Sequence, residues 1–384
     1  MKKVLFTATV DSHILQFHLP YLRMFKENGY EVHVATNGTE KIPYCDKKHK
    51  ISFEKSPLKV NNLKAIKDLK RIIEKEKFEI IHCHTPMGSV VTRIAAKKAR
   101  KRGTRVIYTA HGFHFFKGAP LKNWLIFYTV EKYLARYTDC LITINGEDYE
   151  IARKKFKTKQ IELIPGVGID EEKFGIEMNE GEKLELRKSL GLEKDDFVII
   201  YPAELSIRKN QRMAIEVVKE LTKINKNIKL LLPGLDSMNG KYQTMVKEYN
   251  LDENIKFLGY RKDIPRLMKI SNLAISTAKQ EGLPVNIMEA MYNGIPCVVT
   301  NCRGNRDLIH NGENGVVVEI NNVARMIKEI QKILNGPKFI EQAKEEDKKY
   351  INYYLLKNVE RKMKQIYLKR GSDYEKSIYY NGDL

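Results

Sequence analysis

Short runs of apolar and β-branched residues alternate with stretches of helical spacing along this chain, and the whole alternation occurs twice. No other feature restricts the possible fold so tightly. "KKVLFTATV" is followed by "LPYLRMFKENGY", in which Leu19, Leu22 and Phe25 share one helical face and Gly29 ends the run. "EVHVATN" reads as the next strand. A helix over 61–77, the strand "FEIIHCH", a helix over 88–102, the strand "RVIYTAHG", a helix over 121–137 and the strand "DCLITIN" follow. Strands joined through helices run parallel, because the crossover returns the chain to the same end of the sheet. Parallel strands are buried on both faces, which explains runs that are apolar almost throughout. "QIELIPGVGID", punctuated by Pro165, Gly166 and Gly168, closes this series, and the charged stretch from Glu171 to Lys194 predicts a domain boundary.

The alternation restarts with "DFVIIYPAEL", a helix over 209–224, "IKLLLPG", a helix over 239–250, "IKFLGY" and a short helix over 263–269. It continues with "NLAISTA", a helix over 285–293, "PCVVT", a short helix over 305–310 and "GVVVEI"; a charged tail, 322–369, is mostly helical by period. At 384 residues the chain has the length of two domains, each large enough for its own core. The prediction is α/β, with two Rossmann-like, doubly wound domains over 1–172 and 173–350 and a helical tail over 351–384 that returns to the first domain. Ligands of such sheets bind beyond the carboxyl ends of the strands. Two facing domains therefore place their loops across one cleft.

Composition narrows the function classes. The net charge is +20, and residues 1–170 hold 32 Lys and Arg against 17 Asp and Glu, while the remainder holds 36 against 31. A basic first half points to an anionic partner such as nucleic acid, an acidic membrane face or a phosphorylated ligand. The densest run, "RIAAKKARKRGTR", carries seven basic residues from Arg93 to Arg105 and reads equally as a solvated helix face. Five cysteines, an odd number in no C-x-x-C pattern, predict a reducing compartment. The most apolar helical stretch, "NWLIFYTVEKYLARY", is too short and too charged to span a bilayer. With no basic-then-apolar leader before "VLFTATV", the expectation is a cytoplasmic protein.

The chemistry concentrates in "EGLPVNIME", where Glu281 and Glu289 have seven residues between them. Glu281 follows the strand "NLAISTA", Gly282 permits close backbone approach, and Pro284 suits the first helical position. The free N–H groups near Leu283 to Asn286, at the positive end of a helix dipole, form an anion site. Ionised carboxylates accept well from hydroxyls, and a pair of adjacent hydroxyls suits one carboxylate. A phosphate between two polyol rings is the outline of a nucleotide sugar. "AELSIRKNQ" puts Arg208 and Lys209 at the start of the next helix, where cations oppose the dipole unless a bound diphosphate compensates. "CRGNRDLIHNGENG" adds Arg303 and Arg306 at a further strand end. The three loops together predict one polyanion site.

The series "AEL…RKN", "LPG", "FLGYRKDI", "EGLPVNIMEAMYNGIPCVVT" and "RGNRDLI" resembles the donor half of family 4 glycosyltransferases, and "HILQFHLPYL", "IIHCHTPMG" and "YTAHGFHFFKG" resemble members that build capsular, exopolysaccharide or related glycans on a lipid carrier. The resemblance covers nearly the whole chain and implies the GT-B fold, retention of configuration and no required metal or other cofactor. It implies that Glu281 holds donor-sugar hydroxyls and Glu289 the ribose diol. Lys209 with Arg208 would neutralise the diphosphate, Gly282 and Leu283 would present backbone N–H groups, and Gly259, Tyr260 and Arg261 would border the base. His111 would face the donor sugar, with His13 and His18 on the acceptor side. The resemblance also implies a UDP-linked donor and an acceptor saccharide on polyprenyl diphosphate. Many members carry Gly-Arg where this chain has Ala203-Glu204; Arg208 is expected to replace that arginine.

The remaining histidines are weighed from the residues. Alternation puts His82 and His84 on one face of a strand with Cys83 opposite, and structural or cleft-edge roles outweigh a metal site. His18 reads equally as a helix-start residue, and His114 as a packing one. No Asp-x-Asp triplet is present to hold a metal with a diphosphate. "FHFFKGAP" and "NWLIFYTVEKYL", beside the basic run, suit either core or an interfacial surface against anionic lipid, which gives an expectation of peripheral attachment to the inner membrane face. Three rival readings stand beside this one. A nucleotide-sugar 2-epimerase needs the same pocket. A nucleic-acid-binding protein would explain the charge but lacks a recognised module, so no nucleic-acid partner is expected. Glu204 leaves room for a catalytically inactive scaffold.

Overall fold

A computed structural model describes residues 1–57 and 59–368. Strands β1 (Lys3–Thr7), β2 (Glu31–Thr36), β3 (Lys47–Lys50), β4 (Ile80–Cys83), β5 (Arg105–Ala110), β6 (Cys140–Thr143) and β7 (Gln160–Leu163) form one seven-stranded sheet in the order β3-β2-β1-β4-β5-β6-β7. Strands β8 (Phe197–Ile200), β9 (Ile228–Pro233), β10 (Ile255–Gly259), β11 (Leu273–Ser276), β12 (Cys297–Thr300) and β13 (Gly315–Val318) form a second, six-stranded sheet in the order β10-β9-β8-β11-β12-β13. Every pairing in both sheets is parallel. The α/β, doubly wound architecture expected from the alternation is therefore present twice. Strand order reverses between β1 and β4 in one sheet and between β8 and β11 in the other, and such switch points open a crevice at the strands' carboxyl ends.

The differences from expectation have physical causes. Strand β3 was not anticipated, because "KKHK" is a charged, partly exposed edge strand with no apolar alternation. Helix Gly146–Lys155 was also missed; its buried residues are only Asp148 and Ala152, too few to show a periodic face. The charged stretch at the expected domain boundary contains the helix Glu180–Ser189, begun by a capping box between Asn179 and Glu182. The helix expected over 88–102 breaks into Pro86–Ala95 and Lys97–Lys101. Three of its seven flanking cations turn inward. Arg93 is buried against Glu131 at 2.9 Å, Arg100 pairs with Asp139 at 3.0 Å, and Arg105 donates to the carbonyls of Ile366 and Tyr367. The last contact brings the end of helix Leu356–Leu368 onto the first sheet, where Tyr367 also bonds His82 Nδ1 at 2.7 Å. The tail's remaining residues, 369–384, lie outside the described residues.

The two sheets share apolar packing, with Leu283 and Met288 against Gly166, and beside it they meet through polar contacts. Arg303 is buried; its Nη1 donates to Asp148 Oδ1 at 2.6 Å, its Nε to the Glu281 carbonyl at 3.0 Å and its Nη2 to the Phe113 carbonyl at 2.9 Å. The other Asp148 oxygen accepts from the Phe113 amide and the Asn145 side chain, both at 2.9 Å. Burial pushes the Asp148 carboxyl up and Arg303 holds it back. Around this pair Arg306 binds Glu147, and Asp307 accepts from the Gly146 amide at 2.7 Å. Arg303 and Arg306 were expected at the polyanion site. Instead they dock their loop onto the start of helix Gly146–Lys155, because a carboxylate with no access to water demands a cation more strongly than a solvated ligand site does. Replacing Arg303 by Leu strands Asp148 and should cost about 3–5 kcal/mol of stability. Thermal and urea unfolding check this, and adding Asp148→Asn should recover part of the loss.

Candidate active site

Glu281 leaves β11 at its carboxyl end and is buried, with 6% of its surface exposed. The next residue can only be glycine, since a Cβ on Gly282 would stand 2.2 Å from the His111 carbonyl oxygen. That close approach joins the Glu281 loop to the end of β5. Pro284 is not the first helical residue as expected; it is extended at φ −77 and ψ 114 and caps helix Val285–Tyr292. The Val285 and Asn286 amides stand at its positive end, ahead of the first bonds, which Ile287 and Met288 donate to the Pro284 carbonyl.

The structure brings Glu281, Lys209 and Arg208 together. Lys209 Nζ lies 2.6 Å from one Glu281 oxygen and Arg208 Nη1 3.1 Å from the other. Arg208 also donates to the Gln280 carbonyl at 3.1 Å. The pair of cations exceeds the single carboxylate, so the site keeps surplus positive charge for an anion. Lys209 is positioned through its backbone. The buried Tyr201 hydroxyl donates to its carbonyl at 2.8 Å, and Asn210, at φ +56, anchors the turn by donating to Thr277 O at 3.1 Å. Tyr201, Asn210 and Thr277 escaped the sequence reading; the local signal was Asn after "RK", a residue that tolerates the left-handed region. Glu204 points elsewhere, accepting from the Ser237 hydroxyl. Arg208, rather than residue 204, supplies the guanidinium that reaches Glu281.

Glu289 lies on the second turn of helix Val285–Tyr292, and its carboxylate forms no hydrogen bond or ion pair among the described residues. Burial pushes its carboxyl up to about 7, only partly opposed by Lys173. Gly259, Tyr260 and Arg261 sit together at the end of β10. Gly259, at φ +61, accepts from the Gly234 amide at 2.7 Å, Tyr260 is exposed, and Arg261 forks onto Asp263 at 2.7 and 2.5 Å. No hydrogen bond or ion pair joins these three to Glu281 or Glu289. Leu283 is buried and packs against Gly166 at the connection between the two sheets.

Across the junction stands a wall of imidazoles. His111 follows β5, His84 follows β4, His13 lies on helix Asp11–Phe17, and His18 separates that helix from Leu19–Glu27. His13 is therefore helical. His18 is the helix-start residue that was one of its two readings, with its backbone oxygen accepting from Tyr21 and Leu22. His13 Nε2 and His111 Nε2 are 3.3 Å apart, and the rings of His18 and His84 stack at 3.7 Å. Burial pushes His13 down to about 4 and holds His18, His84 and His111 well below the usual imidazole range, so all four are neutral at pH 7. His82 shares the strand face of His84 as alternation required, but both its nitrogens are engaged by Tyr367 and Thr109. His114 is on the surface beside Phe127.

Comparison with known proteins places these loops in context. Residues 182–350 match the family model for group 1 glycosyl transferases, and residues 3–145 match the glycosyl transferase 4-like model. The chain is 41% identical over 349 residues to EpsD of Bacillus subtilis (strain 168), covering 91% of each protein. It is 30% identical over 324 residues to the Escherichia coli UDP-Gal:alpha-D-GlcNAc-diphosphoundecaprenol alpha-1,3-galactosyltransferase, covering 81% of this chain and 82% of that one. Among solved structures, Anabaena Alr3699/HepE in complex with UDP and glucose superposes with a TM-score of 0.77 over 96% of this chain and 99% of its own, at 17% identity. The fold is GT-B, as expected.

The unpaired Glu289 makes a pH-dependent prediction. Its folded pKa of about 7 lies above the unfolded value near 4.5, so ionisation costs stability as pH rises through that window. Glu289→Gln should leave the melting point nearly unchanged at pH 5 and stabilise the free protein by about 1–2 kcal/mol at pH 8, read by thermal unfolding at both pH values.

Proposed function

Because this chain belongs to the group 1 glycosyl transferases, we propose that it moves a hexose or N-acetylhexosamine from a UDP-linked donor to a saccharide carried on a lipid diphosphate, with retention of configuration. The observation that carries the reading is the Glu281–Lys209–Arg208 cluster at the carboxyl end of β11, set directly against the backbone of His111. The activity of the Escherichia coli relative, a UDP-Gal:alpha-D-GlcNAc-diphosphoundecaprenol galactosyltransferase, supports the UDP donor and the lipid-diphosphate acceptor.

In this proposal the donor diphosphate draws Lys209 and Arg208 off Glu281 and accepts from the N–H groups of Gly282, Leu283, Val285 and Asn286. Glu281, freed of its cations, accepts from donor-sugar hydroxyls. Glu289 accepts from the ribose diol, Gly259, Tyr260 and Arg261 border the base, and His111 borders the sugar from the opposite wall. His13 and His18 line the acceptor side. The bond between the anomeric carbon and the diphosphate oxygen breaks, and its electron pair leaves with UDP. The acceptor hydroxyl attacks the same face, and its proton passes to the departing phosphate oxygen. Fixed cations and amide dipoles stabilise charge that grows on the leaving group, so they act on the transition state more than on bound donor. In this reading they serve in place of a metal at the diphosphate, and the closed cleft limits hydrolysis.

Access to a lipid-borne acceptor is assigned to one face of the first half. Leu121, Leu125, Ile126, Val130 and Tyr133 are exposed along the helical stretch Leu121–Ala135, which contains a π-helical turn at Trp124–Tyr128. Lys97, stacked 4.1 Å over Tyr137, and Arg136, 4.6 Å over Tyr133, flank it. Apolar side chains beside cations suit the boundary of an anionic bilayer. Among the described residues no helix is long and apolar enough to cross a membrane.

Incubation with UDP-hexoses and UDP-N-acetylhexosamines, with a short polyprenyl-diphosphate saccharide, should release UDP and yield an α-linked product with one of them. Lys209→Ala should lower kcat/KM about 10²–10³-fold. Consumption of donor to a C2 epimer without acceptor would establish the epimerase reading instead, and failure of the folded protein to bind any UDP-sugar would overturn both. For the membrane face, flotation with vesicles containing phosphatidylglycerol should carry the protein upward. A variant combining Leu125→Glu and Ile126→Glu should remain in the dense fraction while still glycosylating a water-soluble acceptor.

A further inference from the structure

One polar side chain beside the Glu281 loop is enclosed with nothing to bond. Four asparagine or glutamine side chains hold a buried atom without a hydrogen-bond partner: Gln243, Asn286, Asn293 and Asn305. Three of them are anchored through the other end of the amide. Gln243 donates to Asp236 at 3.3 Å, Asn293 to the Glu289 carbonyl at 2.8 Å and Asn305 to the Thr300 carbonyl at 3.0 Å. The Asn286 side chain forms no hydrogen bond at either end among the described residues, although only 8% of the residue's surface is exposed. Enclosing an amide without a partner costs free energy, and native interiors rarely tolerate it unless another group completes the site.

The position of Asn286 says which group that is. It is the second residue of helix Val285–Tyr292. Ile287, Ala290 and Met291 of the same helix join the core, and Met288 reaches Gly166. Asn286 and Glu289, three residues apart, share the flank that these leave, and Glu289 is partly exposed there. Helical Cα–Cβ bonds tilt toward the N-terminus, so the Asn286 side chain leans toward the helix start, where the Val285 and Asn286 amides stand ahead of the first helical bonds. Lys209 and Arg208 converge on Glu281 just before that start. A half-turn about χ2 exchanges the amide nitrogen and oxygen within one volume, so the donor can be presented to either side. We infer, resting on the UDP-sugar reading above, that Asn286 is a substrate-binding residue whose side-chain N–H donates to a diphosphate oxygen of the donor. A neutral amide adds a fixed donor without another charge. It strengthens as the leaving diphosphate gains charge, and the cost of its empty state is carried by the free protein.

The test separates binding from stability in the full chain. Asn286→Ala should leave the melting point of the free protein unchanged or higher, because no bond is lost and an unpaired amide leaves the interior. Asn305→Ala, which loses bonds to Thr300 and Ser276, should lower it. By isothermal titration Asn286→Ala should weaken UDP about tenfold, the scale of one hydrogen bond to a charged group. The isosteric Asn286→Asp, which sets a carboxylate against the diphosphate, should weaken UDP further. Uridine, which has no phosphate, should bind the parent and Asn286→Ala alike in an NMR titration. A folded Asn286→Ala protein that binds UDP as the parent does, or that loses uridine affinity in the same proportion, overturns the Asn286 assignment and leaves the UDP-sugar reading standing. A fall in melting point for Asn286→Ala as large as that for Asn305→Ala also overturns it, since the side chain would then be structural. A folded parent that binds no UDP overturns the UDP-sugar reading and the assignment together.

Discussion

The buried pair of Arg303 and Asp148 is the polar contact that fixes the loops of the two sheets against each other at the candidate site. Removing two charges from water is costly, and a buried pair is tolerable only when its remaining hydrogen-bonding capacity is met. Here it is met by groups that matter to the site. Arg303 spends its other donors on the carbonyls of Glu281 and Phe113, and Asp148 accepts from the Phe113 amide. One guanidinium therefore holds the loop after β11, the loop after β5 and the start of helix Gly146–Lys155 in a single geometry. Gly282 and Gly112 allow the backbones to come that close; a Cβ on Gly112 would meet Arg303 at 3.0 Å.

The electrostatics on either side of this clamp differ in kind. On the second half, Lys209 and Arg208 share one carboxylate, Glu281, so the free site is neutralised in part and remains attractive to an anion. Glu289, one helical turn deeper, has no cation of its own and waits for hydroxyl donors or a proton. On the first half the wall is uncharged, built from rings that burial keeps neutral. A polyanion entering the junction meets attraction from one side and no charge repulsion from the other. The exposed apolar face on Leu121–Ala135 is a separate feature of the first half, while the sheet of the second half carries the cations that meet the anion.

Legibility followed the strength of the local signal. Buried parallel strands such as "IIHC", "LAIS" and "CVVT" are apolar at every or nearly every position and could be read directly, as could Gly282, whose freedom from a Cβ the turn requires. The grouping of Glu281 with "RKN" was legible as well, because each lies just past a strand end. Strand β3 was not, since an edge strand of lysines and a histidine resembles a loop. Nor were Tyr201 and Thr277, whose hydroxyls support Lys209 from 8 and 68 residues away in sequence. A hydroxyl just past a strand end carries no mark of the carbonyl it will reach.

Arg303 shows where sequence reasoning must stop. An arginine in a glycine-rich turn past a strand is an apt phosphate ligand, and nothing local distinguishes that role from the one it has. What decided it was Asp148, 155 residues away, buried where only a guanidinium could compensate it. The same holds for the histidines: alternation placed His82 and His84 on one face, but only the fold divided them. It satisfied one with Tyr367 and Thr109 and turned the other toward His13, His18 and His111. Periodicity and turn chemistry, which act between near neighbours, were enough to determine two parallel α/β sheets and the loops that carry the chemistry. Which charges face a ligand and which face each other depends on burial, and burial exists only once distant segments have packed.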